Sequence, residues 1–234
     1  MTSIEVFKST MAKGLKVFFE EYESSIKELI DKLDSDKLLL RSFNEEQVNR
    51  LMQLTRSCNM SLSLSSDLYS IVSLDETKRK ENIDNLKKAF RTSDQVRIGE
   101  HVLSALVNAY IANLEKLKIY FLFFIDWNKL GKKHKDIYGI SSALRELIKK
   151  YPDNKYLNYF NKDARNSFAH FSFFFGVGSK VYLCSDIFDK SPKEMNLDQL
   201  MKEIWNLNTL TEGFYLMVRD KYGVPDINSE MFER

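Results

Sequence analysis

From Thr92 to Leu130 the chain keeps a helical pattern: Val102, Leu106, Ala109, Leu114, Leu117 and Phe121 lie along it at spacings of three to five residues. A run this long does not fit a strand, and it ends in Tyr120-Phe121-Leu122-Phe123-Phe124-Ile125, which is apolar on all sides. A helix with no polar face belongs at the centre of a core or in a subunit interface. Gly131 is the expected C-cap. Breakers are scarce throughout, with 8 glycines and 3 prolines in 234 residues, so long helices are favoured over a turn-rich β fold. The expected class is therefore all-α.

The remaining segments agree. Residues 3 to 33 read as one amphipathic helix, with Ile4, Phe7, Met11, Leu15, Phe18, Tyr22, Ile26, Leu29 and Leu33 on one stripe, Ser3 as cap and Gly14 as a mild cost inside. Such a seam packs on the chain's own core or serves a partner helix. Asn44-Glu45-Glu46-Gln47 is a capping box opening a second helix. The serine-rich piece from Ser57 to Ser73 reads as helix, continuous or broken, rather than as a linker, because Leu62, Leu68, Ile71 and Val72 keep an apolar side. Asp75 caps a charged helix to Phe90. Ser141 or Ser142 opens a short helix that Tyr151-Pro152 ends, and Asp153 caps the next, with Tyr156, Leu157, Phe160 and Ala164 buried. Phe171 to Phe175 and Lys180 to Cys184, joined by Gly176-Val177-Gly178-Ser179, read as a β-hairpin. A last helix runs from about Asn196 to Tyr222, with Leu200, Ile204, Leu207, Phe214 and Met217 inward, and Gly223 and Pro225 end it. Residues 1–91 read as a helical extension and 92–234 as the main helical domain; the two can share one core.

One stretch carries chemistry. In Asp163-Ala164-Arg165-Asn166-Ser167-Phe168-Ala169-His170, one of three histidines follows an Arg-Asn pair with four residues between Arg165 and His170. If helical, Asn166 and His170 stack one turn apart, and the long Arg165 side chain reaches back toward them. A guanidinium, a carboxamide and an imidazole together can hold a phosphate and move a proton beside it. The bland alternative is a surface arginine and a core histidine satisfied by a carbonyl.

Arg165-Asn166-Ser167-Phe168-Ala169-His170 resembles the signature of the HEPN superfamily, in which Arg and a polar residue precede His by a few positions. The resemblance implies a HEPN-like helical bundle, often dimeric, and in many members a metal-independent endoribonuclease, as in bacterial toxin–antitoxin and phage-defence proteins. It assigns Arg165, Asn166 and His170 as catalytic residues, RNA as substrate, no cofactor and no metal. It also makes a homodimer the expected assembly, with the two motifs in one cleft. A small hairpin after the motif helix resembles some bacterial members. Some toxins of the family carry a tyrosine two positions after the histidine, where an antitoxin modifies them; here Ser172 stands there. An antitoxin or other protein is expected on the N-terminal helices. Other members bind RNA or protein without cutting, which is the alternative reading for this chain.

Lys132, Lys133 and Lys135 form a basic loop, either a solvated turn or, with Lys149 and Lys150 soon after in the sequence, an electrostatic funnel for phosphate. Glu115, on the interior side of the long helix, is either an exposed charge or, as the resemblance implies, an acidic residue that faces the motif. A net charge of +2 is too small to argue nucleic-acid binding alone. Cys58 and Cys184 stand far apart, with neither disulfide nor zinc spacing. The acidic residues Glu5, Glu20 and Glu21 exclude a signal peptide at the N-terminus, and the apolar run at residues 119–125 is too short for a membrane span. The expectation is a reduced, cytoplasmic protein.

Overall fold

The computed structural model describes residues 2–73, 84, 88, 95–137, 139–160, 173–175, 180–183 and 192–223. The fold is mainly helical with a small antiparallel sheet, as the sequence predicts. The helices are α1 (Ser3–Thr10), α2 (Lys13–Ser35), α3 (Glu45–Ser73), α4 (Gln95–Phe124), α5 (Ile140–Lys150), α6 (Lys155–Tyr159) and α7 (Leu197–Tyr222). Strands β1 (Phe173–Phe175), β2 (Lys180–Leu183) and β3 (Lys193–Asn196) pair in that order. The chain divides into two compact units, residues 1–57, 113–162 and 205–234 in one and residues 58–112 and 163–204 in the other. The boundary expected at residue 91 and the helix expected from Asp75 to Phe90 fall outside the described residues, apart from helical backbone at Asp84 and Lys88.

In the first unit the expected single helix over 3–33 is two. Met11 and Ala12 are extended and separate α1 from α2. The cap is Thr2 rather than Ser3: Thr2 Oγ1 accepts from the Glu5 amide at 3.3 Å, and Glu5 Oε2 accepts from the Thr2 amide at 2.7 Å. The break lets α1 fold back on α2. Phe7 meets Phe19 edge to face at 6.0 Å, and the Lys8 ammonium reaches Glu23 at 2.7 Å. Helix α2 buries Phe19, Ile26, Leu29, Ile30 and Leu33. It ends in a Schellman turn, in which the Leu38 amide donates to Leu33 and that of Lys37 to Asp34, both at 2.8 Å. Lys37 takes the left-handed conformation this turn requires, at φ 56°. Gly213 of α7 lies so close to α2 that a Cβ there would sit 2.3 Å from the buried Phe19 ring.

Helix α4 ends at Phe124, short of the predicted Leu130. Leu38 to Leu40 run against its end: the Leu40 amide donates to the Phe124 carbonyl at 2.9 Å and the Asp126 amide to the Leu38 carbonyl at 2.7 Å. These bonds draw the backbone at Ile125 into an antiparallel bridge with Leu39, and a helix cannot continue through it. A 3-10 turn, Trp127–Leu130, follows, and Gly131 caps that turn at φ 69° instead of capping α4. Trp127 returns its indole N–H to the Phe121 carbonyl at 3.0 Å. Tyr120, Phe121, Phe124 and Ile125 are fully buried, as the apolar girdle predicts. Leu122 and Phe123 are half-buried, and Phe123 stacks on Phe43 at 4.1 Å.

In the second unit, α3 runs unbroken through its serine-rich part. Ser65 donates to the Ser61 carbonyl at 2.6 Å and to the Ala105 carbonyl of α4 at 2.8 Å, so this serine ties the two helices. The expected hairpin is present, with Phe174 opposite Tyr182 and Phe175 opposite Val181. A third strand, β3, pairs with β2 and was not read from the sequence. Val181 and Leu183 are buried while Lys180 is exposed, the alternation of a strand with one covered face. Asn196 and Gln199 cap α7 reciprocally, at 2.7 and 2.8 Å, and Leu200, Met201 and Ile204 are buried in this unit.

Candidate functional site

Arg165, Asn166, His170 and Ser172 lie outside the described residues. The segment that leads to them is well defined. The cap of α6 is Asn154, one residue later than the predicted Asp153: its Oδ1 accepts from the Leu157 amide at 3.1 Å, and its Nδ2 donates to the Ser25 carbonyl of α2 at 2.9 Å. The Ser25 hydroxyl accepts from the Tyr156 amide at 3.0 Å. All three polar side chains are buried, so their bonds are desolvated and orient α6 firmly on α2. Phe18, Tyr22 and Tyr159 pack ring against ring at 5.1 to 5.6 Å, and Tyr156 stacks on Phe214 at 6.0 Å. Burial raises the Tyr156 hydroxyl well above the ordinary phenol range. The chain is therefore fixed at Phe160, five positions before Arg165.

The basic loop is exposed at Lys133, His134 and Lys135. Lys132 lies 3.6 Å from Glu146, which Lys149 also approaches at 3.3 Å. Lys150 is engaged by Asp36 at 2.9 Å. Of the lysines read as a phosphate funnel, Lys133 and Lys135 alone have no acidic partner among the described residues. Lys132 is partly neutralised by Glu146, so Lys133 and Lys135 carry the unbalanced charge of the loop.

Glu115 is half-buried and pairs with Lys118 on its own helix. The charge on the interior side is its neighbour Lys116, 3% exposed, in contact with Glu212 of α7. The Tyr120 hydroxyl donates to the same Glu212 carboxylate at 3.3 Å, and Tyr120 and Tyr215 stack at 4.9 Å. Asn113 and Thr211, both fully buried, lie one turn from Lys116 and beside Glu212 in the sequence. Sequence reading missed this group because one position shifts a side chain by about 100° round a helix. A charge at helical spacing with the apolar residues was the available signal: Lys116 follows Val102, Leu106 and Ala109 on the same side as Asn113.

Among the described residues no three His, Cys, Asp or Glu side chains converge as metal ligands would, and no helix is long and apolar enough to cross a membrane. Cys58 is buried and unbridged. Comparison with protein-family models, with curated proteins and with solved structures finds no significant match to this chain.

Proposed function

We propose that the protein is an endoribonuclease of HEPN type that works without metal. The observation that carries the reading is the Arg165-Asn166-(three residues)-His170 pattern in a chain that folds mainly as helices, with strands β1 and β2 just after the motif. In the proposed reaction the ribose 2′-OH attacks the adjacent phosphorus and the 5′-oxygen leaves, giving a 2′,3′-cyclic phosphate. An unperturbed imidazole titrates in the range that suits a proton donor or acceptor, the role given to His170. Arg165 keeps its charge and its fork matches phosphate oxygens. Asn166 orients His170 or donates to phosphate. A single imidazole does not readily serve both proton transfers, so the active form is a homodimer that brings two motifs into one cleft. The biological setting consistent with this chemistry is a toxin–antitoxin or phage-defence system.

The test is purified protein with mixed RNA in EDTA. RNA is cut and DNA of the same sequence is spared, because DNA lacks the 2′-OH. His170→Ala and Arg165→Ala each lower the rate by about 10²-fold or more while circular dichroism stays unchanged. If RNA survives intact, or both variants cut as fast as the parent, the protein is instead a non-catalytic RNA-binding or protein-interaction module.

A further inference from the structure

Helix α3 is built the wrong way out between Leu51 and Asp67. Its covered side carries Thr55, Cys58 and Ser65, all buried, next to Leu51. Its open side carries Met60 at 67% and Leu64 at 60% exposure, with Leu54 at 47%. Gln53, Ser57, Met60 and Leu64 follow one stripe at spacings of three and four, and no charged residue occurs between Arg56 and Asp67. Two large apolar side chains one turn apart on an open side without charge, Met60 and Leu64, mark a surface that a partner covers.

The flanking charges indicate what covers it. Arg56 and Asp67 are exposed and have no ion-pair partner among the described residues. Eleven residues are close to three helical turns, so the two side chains sit on the same flank of the stripe, roughly 20° apart. In an antiparallel pair related by a two-fold axis perpendicular to the helices, residues on one flank face that same flank of the partner with their order reversed. Centring the axis between Ser61 and Leu62 puts each Arg56 opposite the other copy's Asp67, at both ends of the seam. The same centre sets Met60 of each copy beside Leu64 of the other. A parallel pair would instead place the two Arg56 on opposite flanks of the seam, and likewise the two Asp67, so that neither charge would meet the other.

We infer that the Met60–Leu64 stripe of α3 is a self-association surface that pairs antiparallel with α3 of a second copy of this chain. The inference stands apart from the proposed catalysis, and its tests read association only. Sedimentation of the full chain finds a dimer, and Leu64→Glu or Met60→Glu raises the dissociation constant at least about tenfold with helix content unchanged. Arg56→Glu alone and Asp67→Arg alone each weaken self-association, because each homodimer then holds two like-charge contacts. Mixing the two single variants restores association in trans, since both contacts become opposite in sign. Orientation is read by oxidative cross-linking against the parent chain as control. Met60→Cys lies about 5 Å along the axis from its own copy and cross-links, whereas Gln53→Cys lies about 25 Å away and does not. A monomer at hundreds of micromolar, a dimer indifferent to both glutamate variants, no rescue on mixing, or cross-linking through Gln53→Cys would each overturn the inference.

Discussion

Lys116 and Glu212 show how little a residue's type reveals of its surroundings. Both are charged, both are at least nine-tenths buried, and they meet in the helix core with the Tyr120 hydroxyl on the same carboxylate. Burying two charges costs several kcal/mol each before their attraction offsets it. Removing one partner therefore leaves the other charge buried without this ion pair. Lys116→Met or Glu212→Leu should each destabilise the chain by about 3–5 kcal/mol in urea unfolding, whereas the two together should restore most of that stability or exceed the parent. If the single variants unfold at the parent's midpoint, the pair contributes nothing. The sequence offered Glu115 and Lys116 side by side with opposite charges. Which of them turned inward was decided by the position of Glu212 on a helix far along the chain.

Among the described α-helices, α1 stands out. It buries no residue of its own and is fastened by Lys8 to Glu23, by Phe7 to Phe19, and by Asp220 accepting from the Ile4 amide at 3.1 Å. Burial pushes the Glu23 carboxyl up, but hydrogen bonds from Lys8 and Lys27 outweigh it and hold it below the ordinary glutamate value. The Glu23 hydrogen bond raises Lys8 in turn. A depressed carboxyl stabilises the folded form fully above its unfolded value, near 4.3, and that contribution fades as pH falls through the lower folded value. Amide exchange at residues 3–10 should thus accelerate as pH drops below about 4, relative to α2 and corrected for intrinsic rates. Lys8→Ala should give fast exchange already at neutral pH, with global stability lowered by less than about 1 kcal/mol. An exchange rate at α1 that tracks the rest of the unit at every pH would show that Glu23 does not fasten it.

For the whole molecule, charge is distributed in opposed pairs, and a net +2 leaves little long-range field. The exposed amines of Lys133 and Lys135 are the exception in the basic loop. On the proposed ribonuclease reading, and with His170→Ala to prevent cleavage, Lys133→Glu with Lys135→Glu should weaken single-stranded RNA binding across sequences and flatten the dependence of log affinity on log salt by roughly 1–2. Lys132→Ala should do less, since Glu146 already draws on its charge. An unchanged salt slope would remove the loop from the RNA path.

Most of the helices, the Asn44 capping box, the helical character of the serine-rich piece and the hairpin were legible in the sequence because each is set by contacts within a few residues, where spacing is the physics. The candidate motif was legible for the same reason, as six adjacent residues. Tertiary structure alone decided the rest. It ended α4 at Phe124 through Leu38 to Leu40, broke the first helix at Met11 so that Phe7 could reach Phe19, and added β3 beside β2. It also buried Lys116 rather than Glu115. Each of these outcomes depends on a partner distant in sequence, and local periodicity carries no record of such a partner.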